Sequence, residues 1–277
     1  ELKPSRARAR ITAGRHPMKF PEPTTDGAAI EARRAWIFLA ISIGLTLAIF
    51  YVPYGHTLGF PLLLMSTVAH ELGHGLAAIM VGGSFESMYV HADASGLAYT
   101  GGYDGRFARA IVSAGGLVGP ACAATIAFAL ARRARSAQIG LVVIGALLAL
   151  AVPLVVRNLF GAFYMLALAA VLLGIGLKAR ASVAQLALLF VAVQLALSVF
   201  SRSDYLFMGN AVVDGVARTS DVGAMADALF LPYWFWGGVC GLFSLAVLVV
   251  GAILFVRGPS VARKKRPALA KPRASAL

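Results

Sequence analysis

Long apolar runs separated by short polar breaks dominate this chain. The runs lie at about 36–53, 59–81, 108–131, 137–156, 159–177, 182–200 and 233–256. Each approaches the roughly 20 residues with which a helix crosses the hydrocarbon core of a bilayer. Residues 1–35 are basic, carry Pro17, Pro21 and Pro23, and sustain no period, so they read as a disordered tail. Residues 257–277 are basic and rich in Pro and Ala, and read as a second tail. The pattern predicts an all-α polytopic membrane protein, with a bundle of six or seven transmembrane helices filling one membrane-embedded domain over 36–256.

Two breaks are long enough to hold structure. Residues 82–107, "GGSFESMYVHADASGLAYTGGYDGRF", mix Tyr, Val and Phe with Gly and predict a short β-hairpin-like insertion. Residues 201–232 hold Asp204, Asp214, Asp221 and Asp227, four of the chain's 12 acidic residues.

Composition agrees with the membrane reading. Of 277 residues 59% are hydrophobic and 13% charged, and the mean hydropathy is +0.79; soluble domains run nearer half apolar and a quarter charged. The net charge of +13 would suggest nucleic acid on a folded surface. Here it gathers before the first run (Lys3, Arg6, Arg8, Arg10, Arg15, Lys19, Arg33, Arg34) and after the last (Arg257, Arg263, Lys264, Lys265, Arg266, Lys271, Arg273). Basic flanks of spanning helices follow from the positive-inside bias and anionic headgroups, so the partner is the lipid bilayer and not nucleic acid. Cys122 and Cys240 both lie in apolar runs and predict no disulfide framework. The first run lacks a small-residue cleavage site and reads as a retained helix.

Placing Arg132, Arg133, Arg135, Lys178, Arg180 and the C-terminal tail on the cytoplasmic side is self-consistent. Seven full spans would then leave the basic N-terminal tail outside. A re-entrant or broken segment between 36 and 81 would resolve this, because irregular backbone at membrane depth is tolerated where protein or water surrounds it.

"STVAHELGHGLAAIMVGG", residues 66–83, places three ionisable side chains in an apolar run. His70-Glu71-Leu72-Gly73-His74 fits H-E-x-x-H. On a helix the two histidines stand about 6 Å apart along the axis and nearly in register around it. Both imidazoles can then bind one Zn²⁺, while Glu71, one position round, holds the zinc-activated water and moves its proton to a leaving amine. The bland alternative is a polar cluster that locks two helices together, and the few kcal/mol cost of a carboxylate at mid-bilayer weighs against it. Gly73 and Gly75 each cost about 1 kcal/mol of helix propensity. Such residues let another backbone approach, either a partner helix or an extended substrate strand.

Catalytic zinc usually has three protein ligands and a water. Asp221, in "TSDVGAMADALF", is the first candidate for the third; it also suits a helix N-terminus capped by Thr219 or Ser220. Asp204 is second and otherwise pairs with Arg202. Asp214 is third and otherwise forms a turn with Gly215. His91 is a further option. Arg157 and Asn158 interrupt the stretch 137–177. They suit a turn between spans, and Asn158 could alternatively bind substrate backbone.

The chain resembles the membrane-embedded site-2 protease superfamily, and most closely its bacterial peptidase M50B-like branch. The resemblance spans most of 36–256 and rests on "HELGHGLAAIMVGG", "SAGGLVGP" at 113–120, "VRNLFG" at 156–161, "VQLALSVFSRSDYLF" at 193–207 and "SDVGAMADALFLPYWFWG" at 220–237. It implies a zinc peptidase of a bacterial cytoplasmic membrane that cuts transmembrane or juxtamembrane segments of membrane-protein or peptide substrates. It also implies His70 and His74 as ligands, Glu71 as general base and a third ligand from the late acidic region. The N-x-x-P-x-x-x-L-D-G segment of well-studied members is missing, and Asp214-Gly215 retains only its D-G. The same His pair would also serve a second class of protein, a metal or solute carrier or an inactive relative, in which Glu71 turns nothing over.

Overall fold

The computed structural model describes residues 25–201 and 203–256. Most of both expected tails, and Arg202, lie outside these residues. The part of the N-terminal tail that is described, 25–35, is helical, contrary to expectation: α1 runs Thr25–Tyr51. It is followed by α2 (Gly55–Met80), β1 (Ser84–Val90), β2 (Gly96–Gly101), α3 (Arg106–Ala131), α4 (Ala134–Val155), α5 (Leu159–Lys178) and α6 (Ala181–Ser201). A 3-10 turn (Ser203–Phe207), β3 (Asn210–Val213), β4 (Val216–Thr219), α7 (Asp221–Leu229) and α8 (Tyr233–Val256) complete the order.

Among the described residues six helices are long and apolar enough to cross a membrane, namely α2 to α6 and α8. The apolar part of α1, Trp36–Ile49, is shorter. The fold is thus an all-α polytopic membrane bundle with two small sheets. Neither α1 nor α2 is broken, so the re-entrant segment expected between 36 and 81 is not seen. The helices meet at a tight turn in which Tyr54 is left-handed (φ 65). Pro61 leaves α2 continuous, and Tyr164 on α5 donates its hydroxyl to the Pro61 carbonyl at 2.6 Å.

α3 is the hub, packed against α2, α6, α7 and α8. Its buried face is built from Ala121, Ala124, Ala127 and Ala131. Small side chains there let neighbouring helices approach, which is how membrane helices gain dispersion contacts when lipid competes for every larger apolar group. The seam with α2 is closest at Gly73, where an added Cβ would run into the backbone of Gly115 and Gly119.

Successive spans reverse direction, so both sheets and α7 gather at one end of the bundle. The turns bearing Arg132, Arg133, Arg135, Lys178 and Arg180 gather at the other. β1 and β2 form the expected hairpin, from Val90 opposite Gly96 to Ser84 opposite Gly101, with a bulge between Phe85 and Ser87. Met88 and Val90 are fully buried. The outer edge of β1 is closed by the link from α4 to α5: Met88 bridges Val156, Arg157 N–H donates to Met88 O at 3.1 Å, and Asn158 exchanges two hydrogen bonds with the Val90 backbone. Arg157 folds back on the last carbonyls of α4, donating to Leu154 O at 2.6 Å. It therefore caps a helix C-terminus, where carbonyls lack partners and a cation is favoured.

The second hairpin, β3–β4, was not foreseen beyond a turn at Asp214-Gly215. Those residues have φ 50 and 73, so both central positions are left-handed, as a two-residue hairpin turn requires.

Candidate metal centre

α2 brings His70 and His74 to one face by their four-residue spacing, and their Nε2 atoms lie 3.1 Å apart. α7 delivers the third group. Ser220 is its N-cap, its hydroxyl accepting the Gly223 N–H at 3.1 Å. This sets Asp221 in the first turn, where the macrodipole favours an anion. Its Oδ2 stands 3.1 Å from His70 Nε2 and its Oδ1 3.3 Å from His74 Nε2. The two roles weighed for Asp221, helix start and ligand, are thus compatible.

The donor set suits a metal ion. His70, His74 and Asp221 each offer one atom, all within 4.8 Å of one another. Bonds of about 2.0–2.1 Å in a tetrahedral site separate ligand atoms by about 3.3 Å, close to the spacings found here. His74 Nδ1 lies 2.8 Å from the Val112 carbonyl on α3. A carbonyl only accepts, so Nδ1 carries a proton, which leaves Nε2 as the nitrogen that would turn its lone pair to a bound metal. Asp221 Oδ2 is buried and lacks a hydrogen-bond partner of its own despite its closeness to His70. Burial, the largest single influence, pushes the Asp221 carboxyl up; the imidazoles of His74 and His70 together outweigh it and hold the group below the ordinary carboxylate range.

Glycines shape the surroundings. An added Cβ at Gly116 would strike the His74 ring, and one at Gly96 would strike the Glu71 carboxylate and Thr67. Glu71 is 4% exposed. It reaches a cavity of about 90 Å³ between the two hairpins, which it lines with His70, Thr67, Ser95, Gly96, Tyr205 and Ala211–Val213. The Tyr205 ring stands edge-on to His70, with centroids 5.9 Å apart. Thr67, one turn before Glu71, donates to Ala94 O at 2.7 Å and ties α2 to the first hairpin.

Asp214 and His91 face each other, 3.7 Å apart, at the hairpin tips. Asp204 lies in the 3-10 turn, and its side chain is outside what the structure describes. Asn158 is engaged by Val90, Gly73 by α3, and Gly75 by the Phe85 ring, which an added Cβ would strike. The backbones and side chains that approach them in this structure belong to this chain. Sequence reasoning missed the roles of Gly96, Gly116, Tyr205 and the Val112 carbonyl; only the Gly115-Gly116 pair within "SAGGLVGP" carried a signal. Cys122 and Cys240 are both free thiols.

A family model described as Peptidase M50B-like matches residues 40–251. No curated protein and no solved structure gives a significant match.

Proposed function

The chain belongs to the Peptidase M50B-like family, and from that membership and the site geometry we propose that it is an intramembrane zinc metallopeptidase that hydrolyses peptide bonds in or near transmembrane segments of a bacterial cytoplasmic membrane. The observation that carries the reading is the convergence of His70, His74 and Asp221 next to a buried glutamate that opens on a cleft. Zinc would be held by His70 Nε2, His74 Nε2 and the Asp221 carboxylate, and when bound supplies Lewis-acid polarisation and acidifies water to a pKa of about 7.

The chain's own groups do the rest. Glu71 accepts a proton from the attacking water and delivers it to the departing amine nitrogen. Its burial beneath Gly96 and Thr67 keeps bulk water from competing. The Val112 carbonyl holds the His74 ring in the required tautomer. Asp221 contributes the negative charge that balances a divalent ion, from a helix start that favours it. A substrate helix hides its carbonyls in i to i−4 bonds, so the target must be locally unwound before attack; Gly or Pro in the target lowers that cost.

Glu71→Gln tests this. Purified wild-type protein should bind one zinc and cleave helical membrane peptides. The variant should keep its zinc and lose cleavage by at least about 10²–10⁴-fold. Zinc binding by both proteins with no cleavage by either, across a broad panel of membrane peptides, contradicts the proposal and favours a carrier.

A further inference from the structure

A peptide unwound inside a membrane leaves amide groups without partners, at a cost of several kcal/mol for each unsatisfied group. Something at the cleft should therefore pair with the backbone of an extended substrate. The outer edge of β1 is occupied by residues 156–158, and the first hairpin reaches the cleft only through Ser95 and Gly96. β3 lines it with three successive residues, Ala211, Val212 and Val213, in company with His70 and Glu71.

The register leaves β3 with an edge that β4 does not use, and among the described residues no backbone partner for that edge is found. In a two-residue hairpin the residues flanking the turn, Val213 and Val216, exchange hydrogen bonds, and bonded pairs then alternate along the strands. Ala211 opposite Arg218 is the next bonded pair. Val212, opposite Ala217, falls between them, so its N–H and C=O point away from β4. We propose that β3 is the strand that pairs with the extended substrate, with the Val212 N–H and C=O holding its backbone beside Glu71. This rests on the peptidase reading above, which supplies the peptide.

The hairpin is fixed for this task at both ends. At its tip Asp214 N–H donates to Ser95 Oγ at 3.2 Å, and the Asp214 carboxylate faces His91. At its base Ser220 N–H donates to Gly209 O at 3.1 Å and Ser220 Oγ–H to Met208 O at 2.5 Å. The residue after Ser220 is Asp221, so one anchor holds both the pairing strand and the candidate ligand.

Proline at Val212 would remove the outward N–H without touching the bonds to β4, as prolines on strand edges do. Zinc-loaded Glu71→Gln protein serves as a non-hydrolysing parent. The probe is a fluorescent Leu/Ala peptide of about 20 residues with a central Gly-Pro break, in detergent micelles, read by anisotropy. Adding Val212→Pro should weaken binding about three- to tenfold at unchanged zinc content. Ala217→Pro, which removes the equivalent N–H from the far edge of β4, should leave binding unchanged. Single N-methyl groups moved along the peptide should weaken binding to the parent at alternate positions. Parent-like binding by Val212→Pro, or a flat N-methyl scan, overturns the proposal; the scan decides alone if the proline variant does not fold. An alternating scan with no hydrolysis by the wild type would leave β3 pairing in place and remove the peptidase reading. Hydrolysis by the wild type with a flat scan would do the reverse.

Discussion

The two hairpins share a topology and differ in almost everything else. β1–β2 buries Met88 and Val90 completely, lies along α2, and has its outer edge closed by residues 156–158. β3–β4 exposes all four residues of β4 and leaves the Val212 side chain 66% exposed. An isolated two-stranded hairpin is marginal in water, so each needs support from its surroundings. The first gets it from apolar burial along its length, the second from polar contacts at its tip and base. Framework and working surface are thus built from one motif, and burial decides which is which.

The sharpest break of this comparison is a charge in each hairpin. Met88→Asp places an unpaired carboxylate at a fully buried site, and should destabilise by at least about 4 kcal/mol or prevent folding. Ala217→Asp on exposed β4 should stay within about 0.5 kcal/mol of wild type. Thermal unfolding in micelles measures both, and equal losses would erase the distinction. A smaller contrast lies in the polar clips. Asn158→Ala removes both bonds to Val90 and should cost about 1–3 kcal/mol of global stability. Ser95→Ala removes only the acceptor of the Asp214 N–H, and should leave the melting temperature unchanged while speeding exchange of that amide about fivefold. A global loss on Ser95→Ala would mean that the second hairpin is framework too.

The parts of this molecule that were legible in its sequence are those encoded locally. Span positions follow from apolar length, and the pairing of His70 with His74 follows from helical spacing. The hairpin at 82–107 showed in its Gly-punctuated aromatic and branched residues. Asp214-Gly215 between paired valines was a local turn signal too, but the strands on either side are only four residues long and carry mostly small or exposed side chains. What could not be read locally is who faces whom. Gly73 and Gly75 announce a close neighbour without saying whether it is α3, Phe85 or a substrate. Asp204, Asp214 and Asp221 are equivalent as carboxylates. Only tertiary packing, with α7 folded against α3 and Ser220 anchored to the base of β3, brings Asp221 to the histidines.

That long-range assignment is the centre of the account, and metal stoichiometry tests it most directly. Zinc should be measured in purified wild type, Asp221→Ala, Asp204→Ala and Asp214→Ala after dialysis against a weak chelator. Wild type, Asp204→Ala and Asp214→Ala should each retain one zinc per chain, while Asp221→Ala, deprived of one of three ligands, should lose most of it. Full occupancy in Asp221→Ala, with loss in either of the other two, would contradict the account.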